Sequence, residues 1–526
     1  MPRATGSRSP ASRLLPATLG RDLPASLVVF LVALPLCMGI AVASGVPAEK
    51  GLLTGIIGGI VVGVLAGSPL QVSGPAAGLA VLVFELVREH GLAALGPILL
   101  LAGLIQVGAG VLRLGQWFRA MSPAVVHGML SGIGVLIVLA QLHVLFDSKP
   151  KAGGLDNLRA FPAAVATVFP LDGVGAEMAL LVGLLTIAVM LGWERLRPAR
   201  LRLVPGALVG VVAAAVLSWS MSLQIRHVSL PDSLASAVAV PSTQSVLALL
   251  SSPGMLLSAL AVAFIASAET LLSASAVDRM HDGARTNYNR ELTAQGVGNM
   301  LCGLLGGLPM TGVIVRSSAN VQAGAATRAS AVLHGVWMLA AVAALPWLLR
   351  EVPTAALAGV LIVTGVRLVN FGHVRHLLHR YGPLPVGIWA ATFLTVVATD
   401  LLTGVLVGTA LVAFELLPFV RRLALRMRHT QPRDGEVELR LSGVATFLHL
   451  PRIARVLEEV QHTVPRGATL RVRARGLRHI DHTCAELIAD WAERRRAAGV
   501  IVVLDPLVGE AQQRSHGRVA TALGVG

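Results

Sequence analysis

Up to about residue 420 the chain runs in long uncharged apolar stretches, among them Leu23 to Ala48, Gly51 to Phe84, Gly91 to Leu112, Leu203 to Ile225 and Leu292 to Val315. Each exceeds the ~18–20 residues that cross a hydrocarbon core, and together with shorter runs they predict about fourteen membrane spans. Two stretches are too long or too broken for one helix. Gly51 to Phe84 is interrupted at "GSPLQVSGP", Gly67 to Pro75, and Leu292 to Val315 at "GGLP", Gly306 to Pro309. After Arg433 the pattern changes. "EVELRLSGVATFLHL" and "TLRVRARGLRHI" alternate with the period of two of half-exposed strands, whereas "PRIARVLEEVQ" and "CAELIADWAERRRAAG" carry apolar residues at helical spacing. With "VIVVLD" as a buried strand, this predicts a small soluble α/β domain.

Composition agrees with the pattern. The 526 residues are 54% hydrophobic and 13% charged, about half the charged share of ordinary soluble domains. The net charge of +15 invites a nucleic-acid reading, but its distribution removes the need for one. Taking the N-terminus as cytoplasmic, arginines cluster after even-numbered spans: Arg113 and Arg119; Arg195, Arg197, Arg200 and Arg202; Arg279, Arg285 and Arg290; Arg328; Arg367, Arg375 and Arg380; Arg421 to Arg428. This is the positive-inside asymmetry of a multi-pass inner-membrane protein with both termini cytoplasmic. The predicted organisation is a disordered tail (1–20), a membrane domain (21–422, with halves at about 21–225 and 252–422), a basic linker (423–433), the soluble domain (434–510) and a polar tail (511–526). Cys37, Cys302 and Cys484 lack metal or disulfide spacing and read as small buried apolar residues.

In a bilayer, a broken helix survives only where protein or a water-filled cavity surrounds the break. Here there is a matched pair, "QVSGPAAG" (Gln71 to Gly78) and "LPMTGVIVR" (Leu308 to Arg316), at similar offsets of roughly fifty-five residues from Arg21 and Pro253, as an internal repeat requires. Pro75 and Pro309 are expected to open the second half-helices, where a missing N–H costs nothing. Opposed N-termini suit an anion, and Arg316 would otherwise cost ~2.5–3.5 kcal/mol at the midplane.

The stretches "LPLCMGIAVASGVPAEKGLLTGIIGG", "VSGPAAG", "AETLLSASAVD" and "MTGVIVRSSANVQAGA" resemble the SulP anion transporter/exchanger family, and the C-terminal segment resembles its cytoplasmic STAS domain. The likeness runs from about Arg21 to Asp505. It implies a polytopic α-helical membrane protein of about 14 spans, arranged as a 7+7 inverted repeat with core and gate domains, plus a small cytoplasmic α/β STAS domain. It also implies a homodimer and a substrate site between the third and tenth helices. The residues matching that site are Ser73, Gly74, Pro75, Ala76 and Ala77 on one side and Gly312, Val313, Ile314, Val315 and Arg316 on the other. Many relatives carry serine where this chain has Val315, so the backbone N–H groups of Val313 to Val315 would have to serve the anion.

Glu269 lies within the eighth span with Ser273 one turn on, on the same face. Sodium-coupled relatives carry Asp at the position of Glu269 and hydroxyls at those of Ser273 and Ile314. Since isoleucine offers a hard cation nothing, the resemblance implies proton coupling through Glu269, or anion exchange, ahead of sodium. A permanent Glu269–Arg316 strut is the competing reading. His127, His143, His334, Gln106 and Gln141 read as hydrogen-bonding residues between helices. In "RHIDHTCAELI", His482 follows Asp481 where related domains place a phosphorylatable serine; Thr483 reads as a helix cap. No GxxxxGK[ST] motif is present, and no cofactor or metal is implied. The chain is thus read as a carrier of small inorganic anions, sulfate or bicarbonate leading. Dicarboxylate transport, an anion channel or motor, and a membrane anion sensor stand as alternatives.

Overall fold

The computed structural model describes residues 16–504 except 116–121, 152, 170–174, 202, 232–236, 279, 282, 370, 382, 417–424, 434–435, 447–448, 465–466 and 481. The apolar runs become helices α1 (Pro16–Ala43), α2 (Ala48–Leu65), α3 (Ala77–His90), α4 (Leu92–Val111), α5 (Pro123–Leu145), α6 (Ala176–Leu196) and α7 (Gly206–Ser220). The second half supplies α8 (Pro253–Asp278), α9 (Tyr288–Leu305), α10 (Ile314–Gln322), α11 (Ala329–Ala344), α12 (Thr354–Leu368), α13 (Pro383–Ala398) and α14 (Leu401–Leu416). Short connecting helices lie at Gly154–Ala166, Thr243–Ser251, Pro346–Arg350 and Phe371–Tyr381. Among the described residues six helices are long and apolar enough to cross a membrane and five shorter ones are apolar; α3, α9 and α10 complete the predicted series. Glu49 and Lys50 form the first turn of α2, where the Lys50 ammonium donates to the Ala237 carbonyl at 2.8 Å.

Both predicted interruptions exist. After α2 the chain runs to strand β1 (Ser73–Pro75), and after α9, which ends on left-handed Gly306, to β2 (Met310–Gly312). The two strands pair antiparallel, Ser73 with Gly312, Gly74 with Thr311 and Pro75 with Met310. The prolines therefore do not open helices. Pro75 closes β1 and Pro309 precedes β2, because the backbone first extends to form this ladder and only then coils.

Helices α4 and α9 approach so closely that a Cβ on Gly103 would sit 2.5 Å from the Gly296 carbonyl oxygen, and one on Gly303 2.6 Å from that of Gly96. Small residues permit such backbone contact where apolar burial alone drives no association.

The chain forms two compact units, one comprising the described residues of Met1–Gly115, Ile133–Val369 and Val397–Asp400, the other those of Gln116–Gly132, Asn370–Val396 and Leu401–Gly526. The second unit holds a four-stranded sheet in the order β3 (Leu425–Arg433), β4 (Glu436–Ala445), β5 (Thr469–Ile480), β6 (Ile501–Leu504), with α15 (Leu450–Thr463) and α16 (His482–Ala497) as crossovers of its parallel pairs. Leu439, Leu470, Leu457, Ile488 and Trp491 form its core. The stretch read as a basic linker, 423–433, is strand β3 from Leu425 onward. Its arginines hide an alternation in which Leu425 is buried while Arg426 and Arg428 are exposed. The tail read as 1–20 is helical from Pro16. Residues 1–15, the 511–526 tail, Asp481, the side chains of His482 and Thr483, and Arg421 and Arg422 lie outside the described residues.

Within the sheet, Glu438 accepts from Arg440 Nε at 3.0 Å and also pairs with Arg473. The Arg440 hydrogen bond holds its carboxyl below the usual range. A carboxylate whose pKa is depressed on folding stabilises the fold above its unfolded value, about 4.3, and loses that contribution as pH falls through the folded value. Glu438→Gln in the full chain is therefore expected to lower the melting temperature of this unit at pH 7. The gap from wild type should close on acidification below pH 4, as read by calorimetry across pH.

Candidate functional site

The β1–β2 ladder brings the starts of α3 and α10 together. Their N-caps, Ala76 and Val313, have extended backbone (φ −104° in both), and no side chain caps either helix. The first-turn N–H groups of a helix have no partner inside it. Here the open donors belong to Ala77 and Gly78 on one tip and Ile314, Val315 and Arg316 on the other. Ile314 and Val315 are 37% and 43% exposed, and Ala77 is half-buried. Two positive helix ends brought together at residues that reach the surface make a place for negative charge.

Not every predicted donor is available. The Val313 N–H donates to the Val72 carbonyl at 2.9 Å and the Gly312 N–H to Thr270 Oγ1 at 3.1 Å. Both amides are taken by these bonds, so the donors left over at exposed residues are those of Ile314 and Val315. Ser73, Gly74, Pro75 and Ala76 are buried framework, with Ser73 Oγ accepting from Gln295 Nε2 at 2.5 Å.

Arg316 is fully buried, and among the described residues no oxygen or nitrogen atom accepts from its Nε, Nη1 or Nη2; the Cys37 thiol is a weak partner. The guanidinium lies against Gly74, in space that a side chain at that position would fill, with Cys37 and His334 nearby. Among the described residues no ion pair joins it to an acid, so the Glu269–Arg316 strut is not formed. A buried cation without a counter-charge is costly. Placed behind the ladder, it adds positive potential to the tips in front.

Glu269 is half-buried on α8, with Oε2 enclosed and without a hydrogen-bond partner among the described residues. It packs on the first turn of α3: a Cβ on Gly78 would lie 2.8 Å from both carboxylate oxygens. Ser273, one turn on, is buried. Ile314 presents only hydrocarbon, and among the described residues no cluster of three or more His, Cys, Asp or Glu could hold a metal.

Several supporting residues escaped the sequence reading. Glu291 accepts from the Gly67 and Ser68 N–H groups at 2.8 and 2.9 Å, Gln295 donates to Ser73, and Asn299 Oδ1 accepts from the Met310 N–H at 2.8 Å. They recur every fourth residue along α9, a polar stripe that helical spacing alone reveals. Ser317 Oγ accepts the Val72 N–H at 2.9 Å, and Asn320 Nδ2 donates to the Leu70 carbonyl at 3.0 Å. Gln106 and His143 do bridge helices, to Asn299 and to the Asn157 carbonyl.

Residues 19–392 match the model of the sulfate permease family. YvdB of Bacillus subtilis, named provisionally as a sulfate transporter, is 31% identical over 78% of this chain and 76% of its own length. The transmembrane domain of a cyanobacterial bicarbonate transporter, BicA, superposes with a TM-score of 0.63 at 27% identity, covering 74% of this chain and 97% of that one. The structure of SLC26A9 shares the fold at a TM-score of 0.65 and 18% identity, over 96% of this chain and 87% of its own. Family and relatives are membrane transporters rather than enzymes. With its matched domain, its paired interruptions and its C-terminal sheet, this chain belongs to the sulfate permease family.

Proposed function

We propose that the chain is a secondary active transporter of a small inorganic anion, sulfate or bicarbonate, bound between the tips of α3 and α10. One observation carries the reading: two uncapped helix N-termini are knitted face to face by main-chain bonds, with an uncompensated guanidinium behind them. The substrate would supply the missing negative charge, and the similarity to YvdB and BicA points to the two anions. Because the ladder joins both tips, they would travel together between the two membrane faces, carried by a core domain moving against a gate domain within a 7+7 repeat.

Inward movement of each negative charge against 100 mV costs ~2.3 kcal/mol, so uptake needs a cotransported cation or an exchanged anion. Glu269 is the proposed proton carrier. When ionised, its carboxylate lies on the α3 tip, where it competes with and repels the substrate; protonation lifts that block. The arginine distribution supports an inner-membrane protein with cytoplasmic termini, and the family resemblance supports a homodimer.

The test is uptake of radiolabelled sulfate, bicarbonate and succinate into proteoliposomes under imposed proton and sodium gradients. Saturable sulfate or bicarbonate uptake, raised by an inward proton gradient or by internal anion and indifferent to sodium, is expected. Binding without uptake, currents far above carrier turnover, transport of succinate alone or a strict sodium requirement would each overturn it.

A further inference from the structure

A cavity of about 580 Å³ runs along the exposed face of α10, lined there by Val315, Ser318, Ala319 and Gln322. Those positions (i, i+3, i+4, i+7) form one stripe, so the cavity extends from the candidate anion site to the far end of the helix. Its opposite wall comes from α6 and α12, and the charged residues lining it are Glu194, Arg197 and Arg367. The remainder is largely apolar, including Val28, Val32 and Leu36 of α1. Low-dielectric walls focus the field of the few charges at such an opening.

Glu194 and Arg367 form an ion pair, with side chains 30% and 49% exposed. A pair this open to solvent is weak and readily exchanged. Nor is it needed to hold its helices together. Gly359 of α12 already meets α6 backbone to backbone, its Cβ position 2.8 Å from the Gly183 carbonyl oxygen.

We propose that Arg367 is the first capture point for the anion entering from the arginine-rich face, and that Glu194 is an internal competitor which sets the affinity of that capture. An arriving anion displaces the Glu194 carboxylate from the guanidinium and then passes along α10 to the helix tips. The proposal rests on the transport reading above and adds to it a step that sets the affinity of entry.

Everted and right-side-out membrane vesicles carrying the full chain separate the two faces. Initial rates of sulfate and bicarbonate uptake would be measured at low and high ionic strength. From the arginine-rich face at low salt, Glu194→Gln is expected to lower KM by about 3–5-fold and Arg367→Gln to raise it by a similar factor, with the double variant following Arg367→Gln. These differences should shrink at high salt, where exposed charges are screened, and KM from the opposite face should stay at the wild-type value. Parallel losses of kcat and melting temperature in both single variants would instead mark a strut and overturn the proposal, as would salt-independent or face-independent changes in KM. Wild-type vesicles inert to both anions would sink the transport reading itself, a result distinct from active vesicles in which Glu194→Gln changes nothing.

Discussion

Arg316→Met will remove between about half and nearly all of the anion-induced stabilisation while leaving the anion-free protein at least as stable as wild type. The guanidinium is fully buried with no carboxylate, oxygen or nitrogen acceptor among the described residues, so folding without substrate carries an uncompensated charge that methionine removes. Wild type in saturating anion, at 100 times Kd, gains about 2.7 kcal/mol by linkage. Losing a charged partner worth roughly 1.5–3 kcal/mol weakens binding by about 10- to 150-fold. Thermal melts with and without sulfate or bicarbonate read both effects. A large drop in the anion-free melting temperature would mean that Arg316 is a structural strut.

Glu269→Gln will still exchange anion for anion but will no longer accumulate it against a gradient. One coupled proton supports about a tenfold concentration ratio per pH unit, from 1.36 kcal/mol. Glutamine keeps the shape against Gly78 without taking up or releasing a proton, so the accumulation ratio under an imposed proton gradient should fall to about one. Retained proton-driven accumulation in the variant would exclude Glu269 as the carrier.

The membrane class, the two interruptions and the elements of the C-terminal domain from Glu436 onward were legible because hydrophobic length and period respond directly to solvent. The paired helix tips were legible from glycines, prolines and one misplaced arginine. What pattern could not reveal was hydrogen-bond bookkeeping. Val313 and Ile314 are neighbours of similar apolar character, yet one amide is spent on Val72 and the other is open. The direction of the Arg316 side chain was equally hidden, since it depends on the empty volume beside Gly74. Strand β3 was missed for a different reason: dense arginines imitate a linker, although the backbone alternation beneath them is regular.

Glycines 96, 103 and 110 on α4 recur every seven residues, opposite Gly303, Gly296 and the Asn289–Thr293 turn of α9 in that order. Teeth at that interval mesh in one setting only, because slipping by a single residue would drive a side chain into the opposing main chain. That makes α9 a keel for the ladder: the rungs it holds out through Glu291, Gln295 and Asn299 cannot drift, so any movement of the two helix tips must carry α9 and α4 with it.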